Sequence, residues 1–184
     1  QTTKTPRVVI ITGISGAGRR TAAHAVEDLG WYVVDNLPPA MLGALVDEIA
    51  ANNIDRLAVV LDVRSRIMFD ALGVAVNALD ERGIDPAIVF LEASDETIVR
   101  RQESSRRPLP LQQGGHLLDA VALERRMLSD LRAEADLVID TTSITARQLA
   151  QRIDHAVAEG IDEGLAFQVM SFGFKRGVPI DADL

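Results

Sequence analysis

The chain has 184 residues, 47% hydrophobic and 25% charged, a composition that fits one folded domain able to bury a core without staples. Acidic residues outnumber basic ones 27 to 19 for a formal charge of -8, which argues against a surface-wide nucleic-acid or membrane footprint while allowing a local basic patch. The absence of cysteine excludes a disulfide scaffold, a thiolate metal site and a cysteine nucleophile, and the scattered His24, His116 and His155 disfavour a His-based zinc site.

No run approaches the roughly 18 apolar residues of a membrane span, and QTTKTPRVVIITG lacks a signal-peptide layout, so a cytoplasmic protein is expected. Of the basic residues only Lys4 and Lys175 are not Arg, which reads as genome bias, so position rather than frequency is informative.

Short apolar, β-branched runs alternate with segments of helical period, the pattern of βα units on a parallel sheet. Strands are predicted at Arg7–Thr12, Tyr32–Asp35, Arg56–Asp62, Ala87–Glu92 and Leu137–Asp140, with a sixth at Phe167–Ser171. The unbroken apolar character of VVIIT, LAVVLD and AIVFLE predicts strands covered on both faces. Helices are predicted at Arg19–Leu29, Pro39–Ala51, Phe69–Arg82, Asp95–Ser105, Leu117–Ala133 and Thr145–Ala158. Ser94 is placed to cap the fourth, with Asp95 and Glu96 at its positive end, and Gly30 and Gly83 follow helices where a left-handed cap is easy. The run RRPLPLQQGGH at Arg106–His116 has prolines and glycines that forbid regular structure.

The first strand leads through Gly13, Ile14, Ser15, Gly16, Ala17 and Gly18 into a helix beginning with Arg19, Arg20 and Thr21. A glycine-rich strand-to-helix loop can aim backbone N–H groups at an anion, and the helix start adds its own N–H groups and dipole. Against G-x-x-x-x-G-K-[ST], Gly13 and Gly18 match, Arg19 stands at Lys, Arg20 stands at Ser/Thr, and Thr21 is one position late. Arg binds phosphate as a planar fork but cannot ligate the Mg²⁺ that the hydroxyl normally holds, so phosphate binding is better supported than catalysis. A glycine turn that binds nothing is the competing reading.

Asp35, Asp62, Glu92 and Asp140 end apolar runs at the sheet edge where α/β ligands sit. Asp62 or Glu92 could hold Mg²⁺ through water, the alternative for each being a cap or turn carboxylate. Arg64 and Arg66 lie just beyond Asp62, and Arg100, Arg101, Arg106 and Arg107 would clamp a phosphoryl group if the following loop folds back, or else form a solvated basic helix end. Glu124, Arg125 and Arg126 read as a surface ion-pair cluster.

The runs GISGAGRRTAAHAVEDLGWYVVDNLP, LDVRSR, FLEASDETIVRRQESSRRPLPL, ADLVIDTT and SFGFKRGVPIDADL, in this order, resemble the RapZ/YvcJ family of nucleotide-binding proteins, in which actinobacteria-like members also carry Arg in the Lys place. The resemblance covers Val8 to Leu184, and D-N-L-P at Asp35–Pro38 and S-F-G-F-K at Ser171–Lys175 are its most distinctive pieces. It implies a three-layer P-loop NTPase-like α/β domain with a mainly parallel sheet, similar to small nucleoside or adenylate kinases. It further implies ATP at the Gly13–Arg20 loop, GTP at the run Asp62, Val63, Arg64, Ser65, and weak ATPase and GTPase activity. Some members act as RNase adapters that bind small RNAs and sense an amino-sugar phosphate through a C-terminal domain. RNA or protein partners, and a homo-oligomer, are therefore admitted. Two departures are Arg20 at the Mg²⁺-ligating hydroxyl and Leu109 at the His of the family's R-R-x-H-P-L run.

The expectation is thus a nucleotide-binding regulatory domain over 1–184 with slow, Mg²⁺-assisted hydrolysis at most, 159–184 leading toward a further domain. A small-molecule kinase and a non-catalytic nucleotide sensor are the alternatives.

Overall fold

The computed structural model describes residues 5–63, 66–105 and 116–159. Five strands, β1 (Arg7–Gly13), β2 (Tyr32–Asp35), β3 (Arg56–Val60), β4 (Ala87–Glu92) and β5 (Leu137–Asp140), form one sheet in the order β2-β3-β1-β4-β5. Every pairing is parallel. Among the described residues the α-helices are α1 (Arg19–Glu27), α2 (Leu42–Ala51), α3 (Arg66–Asp80), α4 (Asp95–Ser105), α5 (Leu117–Met127), α6 (Ser129–Ala133) and α7 (Ala146–Glu159).

β1 is the centre of the sheet, its Ile10 in register with Val59 of β3 and Ile88 of β4. Val8, Val9, Ile10 and Ile11 are all buried, so both strand faces are covered, as the unbroken apolar run requires. Each such side chain contributes on the order of 1.5–3 kcal/mol by leaving water. The chain leaves β1 toward β2 on one side and later crosses to β4 on the other, which opens a crevice beyond the carboxyl end of β1.

α7 packs on α1, and its Asp154 accepts from Trp31 Nε1 at 3.1 Å and Arg56 Nη1 at 3.2 Å. The Arg56 guanidinium also lies 5.8 Å from the Trp31 ring centroid. That cluster ties α7 to the amino-terminal side of the sheet, and Thr145, Ala146 and Leu149 at the other end of the helix reach the crevice.

Most element boundaries follow the sequence, and the departures have local causes. The segment Pro39–Ala51 begins as a 3-10 turn at Pro39–Met41, since Pro39 supplies the fixed φ of a first turn but no N–H. The predicted helix Leu117–Ala133 breaks at Leu128, which caps α5 and precedes α6. β3 stops at Val60 because Asp62 has turned to meet a side chain, and α3 starts three residues before Phe69. Ser94 caps α4 as expected, its Oγ accepting from Thr97 N at 3.3 Å. The strand predicted at Phe167–Ser171 and the run 106–115 lie outside the described residues.

Gly13 has φ +139, and a Cβ there would stand 2.1 Å from the Leu91 carbonyl oxygen and 2.6 Å from its nitrogen. Gly18 has φ +100 with nothing within 4 Å of such a Cβ. Gly13→Ala must therefore part β1 from β4 and should cost roughly 3 kcal/mol or more, whereas Gly18→Ala bears only the left-handed backbone penalty of about 1–2 kcal/mol. Urea unfolding of the two variants checks the order; equal midpoints would contradict it.

Candidate functional site

A cleft of about 780 Å³ opens at the carboxyl end of β1. On one side it is lined by the loop and helix start Gly16, Ala17, Gly18, Arg19, Arg20 and Thr21, on others by Asp35, Asn36 and Asp62, by Arg101 of α4, and by Thr141 and Thr145. The sequence points to the loop, Asp35, Asp62 and Arg101 here; Asn36 stands out only as part of the D-N-L-P run, and no site role is expected of Asn36, Thr141 or Thr145. Asn36 has φ +59, a conformation that Asn tolerates better than most residues, so its position after a strand was the available signal.

The loop divides its backbone groups between structure and cleft. Ile14 N donates to Leu91 O at 3.0 Å, Ala17 N to Ile14 O at 3.0 Å, and Ser15 N to Glu124 Oε1 at 3.1 Å. Among the described residues no partner takes the N–H groups of Gly16, Gly18, Arg19, Arg20 or Thr21. The last three are the orphan donors of a helix start, and Gly18 offers no side-chain cap. Open donors at a helix's positive end form an anion cradle. Ile14 and Ser15, both buried, support the loop from behind.

The loop's carbonyls are tied down as well. Arg101 Nη1 donates to Gly16 O at 3.1 Å and to Thr141 Oγ1 at 3.0 Å, and its Nη2 donates to Thr141 O at 2.7 Å. Thr141 Oγ1 in turn donates to Ala17 O at 2.7 Å. Burial, then the neighbouring Arg100 charge, loosens the Arg101 proton, with Asp140 opposing, but a guanidinium stays charged at neutral pH. Arg101 is thus a strut between loop and β5 rather than an open clamp. Arg100 is exposed, and Arg106 and Arg107 lie outside the described residues.

The four strand-end carboxylates separate. Asp35 and Asp62 line the cleft, Asp62 accepting from Arg19 Nη1 at 2.9 Å. Glu92 is not among the lining residues: Arg132 donates Nε to its Oε2 at 2.7 Å and Nη2 to its Oε1 at 2.9 Å, and Arg125 stands 4.0 Å away. That hydrogen bond and the Glu92 charge raise the Arg132 pKa. Asp140 forms a turn, accepting from Thr142 N at 2.8 Å and Thr142 Oγ1 at 2.5 Å. Val63 is buried, so within the D-V-R-S run only Asp62 reaches the cleft among the described residues; Arg64 and Ser65 lie outside them.

Glu124 departs most from expectation. Instead of joining a surface cluster it is 6% exposed and its Oε1 accepts from both Ser15 N and Ser15 Oγ, the latter at 2.7 Å. Arg125 points the other way, to Asp95 Oδ1 and to the Ala93 carbonyl. A helix buries one face, and Glu124 lies on the buried one with Ala120 and Val121 because the loop presents two donors there.

Removing the Glu124 carboxylate strands two buried Ser15 donors. Glu124→Ala should cost about 2–3 kcal/mol, and a double-mutant cycle with Ser15→Ala should return a coupling of about 1–2 kcal/mol. Additive losses in thermal or urea unfolding would show that the contact does not support the loop.

A model described as the RapZ-like N-terminal domain matches residues 7–160. A nucleotide-binding protein of Streptomyces coelicolor is 52% identical over 181 residues, covering 97% of this chain and 60% of that protein. One from Frankia casuarinae is 49% identical over 185 residues, covering 100% of this chain and 64% of that protein. The chain therefore spans about three fifths of the length of these curated relatives. Among solved structures, shikimate kinase from Acinetobacter baumannii in complex with shikimate has a TM-score of 0.60 at 18% identity, covering 85% of this chain and 95% of that one. A gluconokinase from Sinorhizobium meliloti has a TM-score of 0.55 at 16% identity, covering 85% and 94%. These likenesses show the α/β P-loop-like fold and no more. With its five parallel strands, its glycine loop at the centre of the sheet and the match over residues 7–160, the chain belongs to the RapZ-like N-terminal domain family.

Proposed function

We propose that this domain binds a nucleoside triphosphate, ATP or GTP, with the phosphates on the open backbone N–H groups of Gly16 and of Gly18 to Thr21, and that occupancy serves regulation with slow turnover at most. The carrying observation is the set of five open N–H groups at Gly16, Gly18, Arg19, Arg20 and Thr21, in a cleft that Arg19 and Arg20 also line. The names of the relatives, nucleotide-binding proteins, support the same ligand class. Cleft volume fits a ligand of this size, pockets for small molecules running to about 1,000 Å³.

Slow turnover rests on what Arg20 replaces. A Ser or Thr hydroxyl at this place orients a metal on the phosphates, and an exposed guanidinium cannot. The kinase alternative needed guanidinium groups clamped over the transferred phosphoryl, and Arg101 spends its Nη donors on Gly16 and Thr141. The Asp62-to-Ser65 run is retained in the proposal as a second nucleotide contact, through Asp62. In a longer protein, nucleotide occupancy would set the surface offered to RNA or protein partners.

Calorimetric titration with ATP and GTP tests the reading. Arg19→Ala combined with Arg20→Ala should weaken triphosphate binding by about tenfold or more, the scale of losing two charge-assisted phosphate contacts. The unfolding midpoint should stay close to that of the parent. Unchanged affinity in a folded variant would remove the loop from the site.

A further inference from the structure

Resting on the nucleotide reading above, the geometry points to Arg19 as a built-in replacement for the divalent cation, so that this site recognises triphosphate without Mg²⁺. A P-loop ordinarily surrounds its cation with oxygens: a Ser/Thr hydroxyl at the helix start, phosphate oxygens, and a strand-end carboxylate acting through water. The residues here do not fit that arrangement. Arg20 occupies the hydroxyl position with a positive group that has no lone pair to offer. Thr21 is one residue further, about 100° around the helix. Glu92 is held on both oxygens by Arg132 and does not line the cleft. Among the described residues no three His, Cys, Asp or Glu side chains come together as a metal site.

Asp35 and Asp62 are the strand-end carboxylates that line the cleft, and it is against Asp62 that a guanidinium lies. Arg19 Nη1 donates to Asp62 Oδ1 at 2.9 Å and to Leu61 O at 3.2 Å, with the two side chains 17% and 18% exposed. Both contacts use a single nitrogen. Arg19 Nη2 and Nε have no partner among the described residues, although Arg19 lines the cleft. A guanidinium presents its five N–H donors in a rigid plane, so one corner can stay on the protein while another edge forks onto phosphate oxygens. Lys carries its three donors on one atom, so it lacks the second edge that would fork onto phosphate while the first stays on Asp62.

The chain carboxylate–guanidinium–phosphate thus takes the place of carboxylate–water–metal–phosphate. Arg20, next along the helix start, supplies a second fixed positive charge at the cleft. A fixed charge on the protein needs no metal to be recruited with the ligand, which makes affinity insensitive to free Mg²⁺.

Titration of the 184-residue chain with ATP, once in EDTA and once in excess Mg²⁺, decides the matter. The two dissociation constants should agree within about fivefold, and Asp62→Asn should weaken binding by the same factor in both media. Arg19→Lys combined with Arg20→Ser, which restores the usual pattern, should make Mg²⁺ tighten binding by about tenfold or more. If EDTA weakens the parent by more than about fivefold, or Asp62→Asn weakens binding only when Mg²⁺ is present, Asp62 serves a metal and the inference is overturned. If neither ATP nor GTP binds in either medium, the nucleotide reading falls as well, which separates that failure from a metal requirement.

Discussion

A loop that leaves its N–H groups open to a cleft must find other partners for everything else it carries, and that constraint organises this molecule. Turning the peptides of Gly13–Gly18 leaves the inner donor of Ser15 and the carbonyls of Gly16 and Ala17 facing protein, where an unpaired polar group costs about 1–3 kcal/mol. Three distant side chains answer them: Glu124 from α5, Arg101 from α4 and Thr141 beyond β5. The elements that come after the loop in sequence are therefore held in position by it. Gly13 is part of the same constraint, since the loop can leave β1 only by passing against the backbone of Leu91.

This arrangement makes the cleft a junction between halves of the sheet. β1 and the loop belong to the first half, and α4, β5 and α5 to the second, so phosphate on the Gly18 N–H would meet a peptide whose carbonyl, Ala17 O, accepts from Thr141 Oγ1. A peptide N–H that gains an anionic acceptor strengthens the hydrogen bond made by the carbonyl preceding it, and conversely. Ligand occupancy and the seating of Thr141 beyond β5 are in this sense coupled through a single peptide.

The sheet was legible because β1, β3 and β4 are short, apolar and β-branched, and hidden strands leave little else for such runs to be. The loop was legible because glycine spacing between a strand and a helix has few other uses. What escaped were contacts between residues far apart in sequence. Glu124 is 109 positions from Ser15, and as one acidic residue beside two arginines it looked like a solvated ion-pair cluster. Glu92 and Asp62 looked equivalent at the ends of their strands. They differ because Arg132 on α6 reaches one of them and the helix-start Arg19 reaches the other, a distinction that depends on the bend at Leu128. Thr141 was invisible for a similar reason, since its value lies in an oxygen within reach of two other segments.

The arginine count by itself decides nothing, yet the places where arginine is used are not interchangeable with lysine. Arg101 contacts three acceptors on two segments with two of its nitrogens, Arg132 spans both oxygens of Glu92, and Arg125 joins Asp95 to the Ala93 carbonyl. Each geometry needs a plane of directed donors, where an ammonium would satisfy one acceptor well and the others poorly. Once strand ends are laced by forks of this kind, an arginine at the end of the glycine loop alters the site's chemistry as well as its charge. It can hold a carboxylate and a phosphate at once, and a chain that uses it so has less need of the hydroxyl that Arg20 displaced.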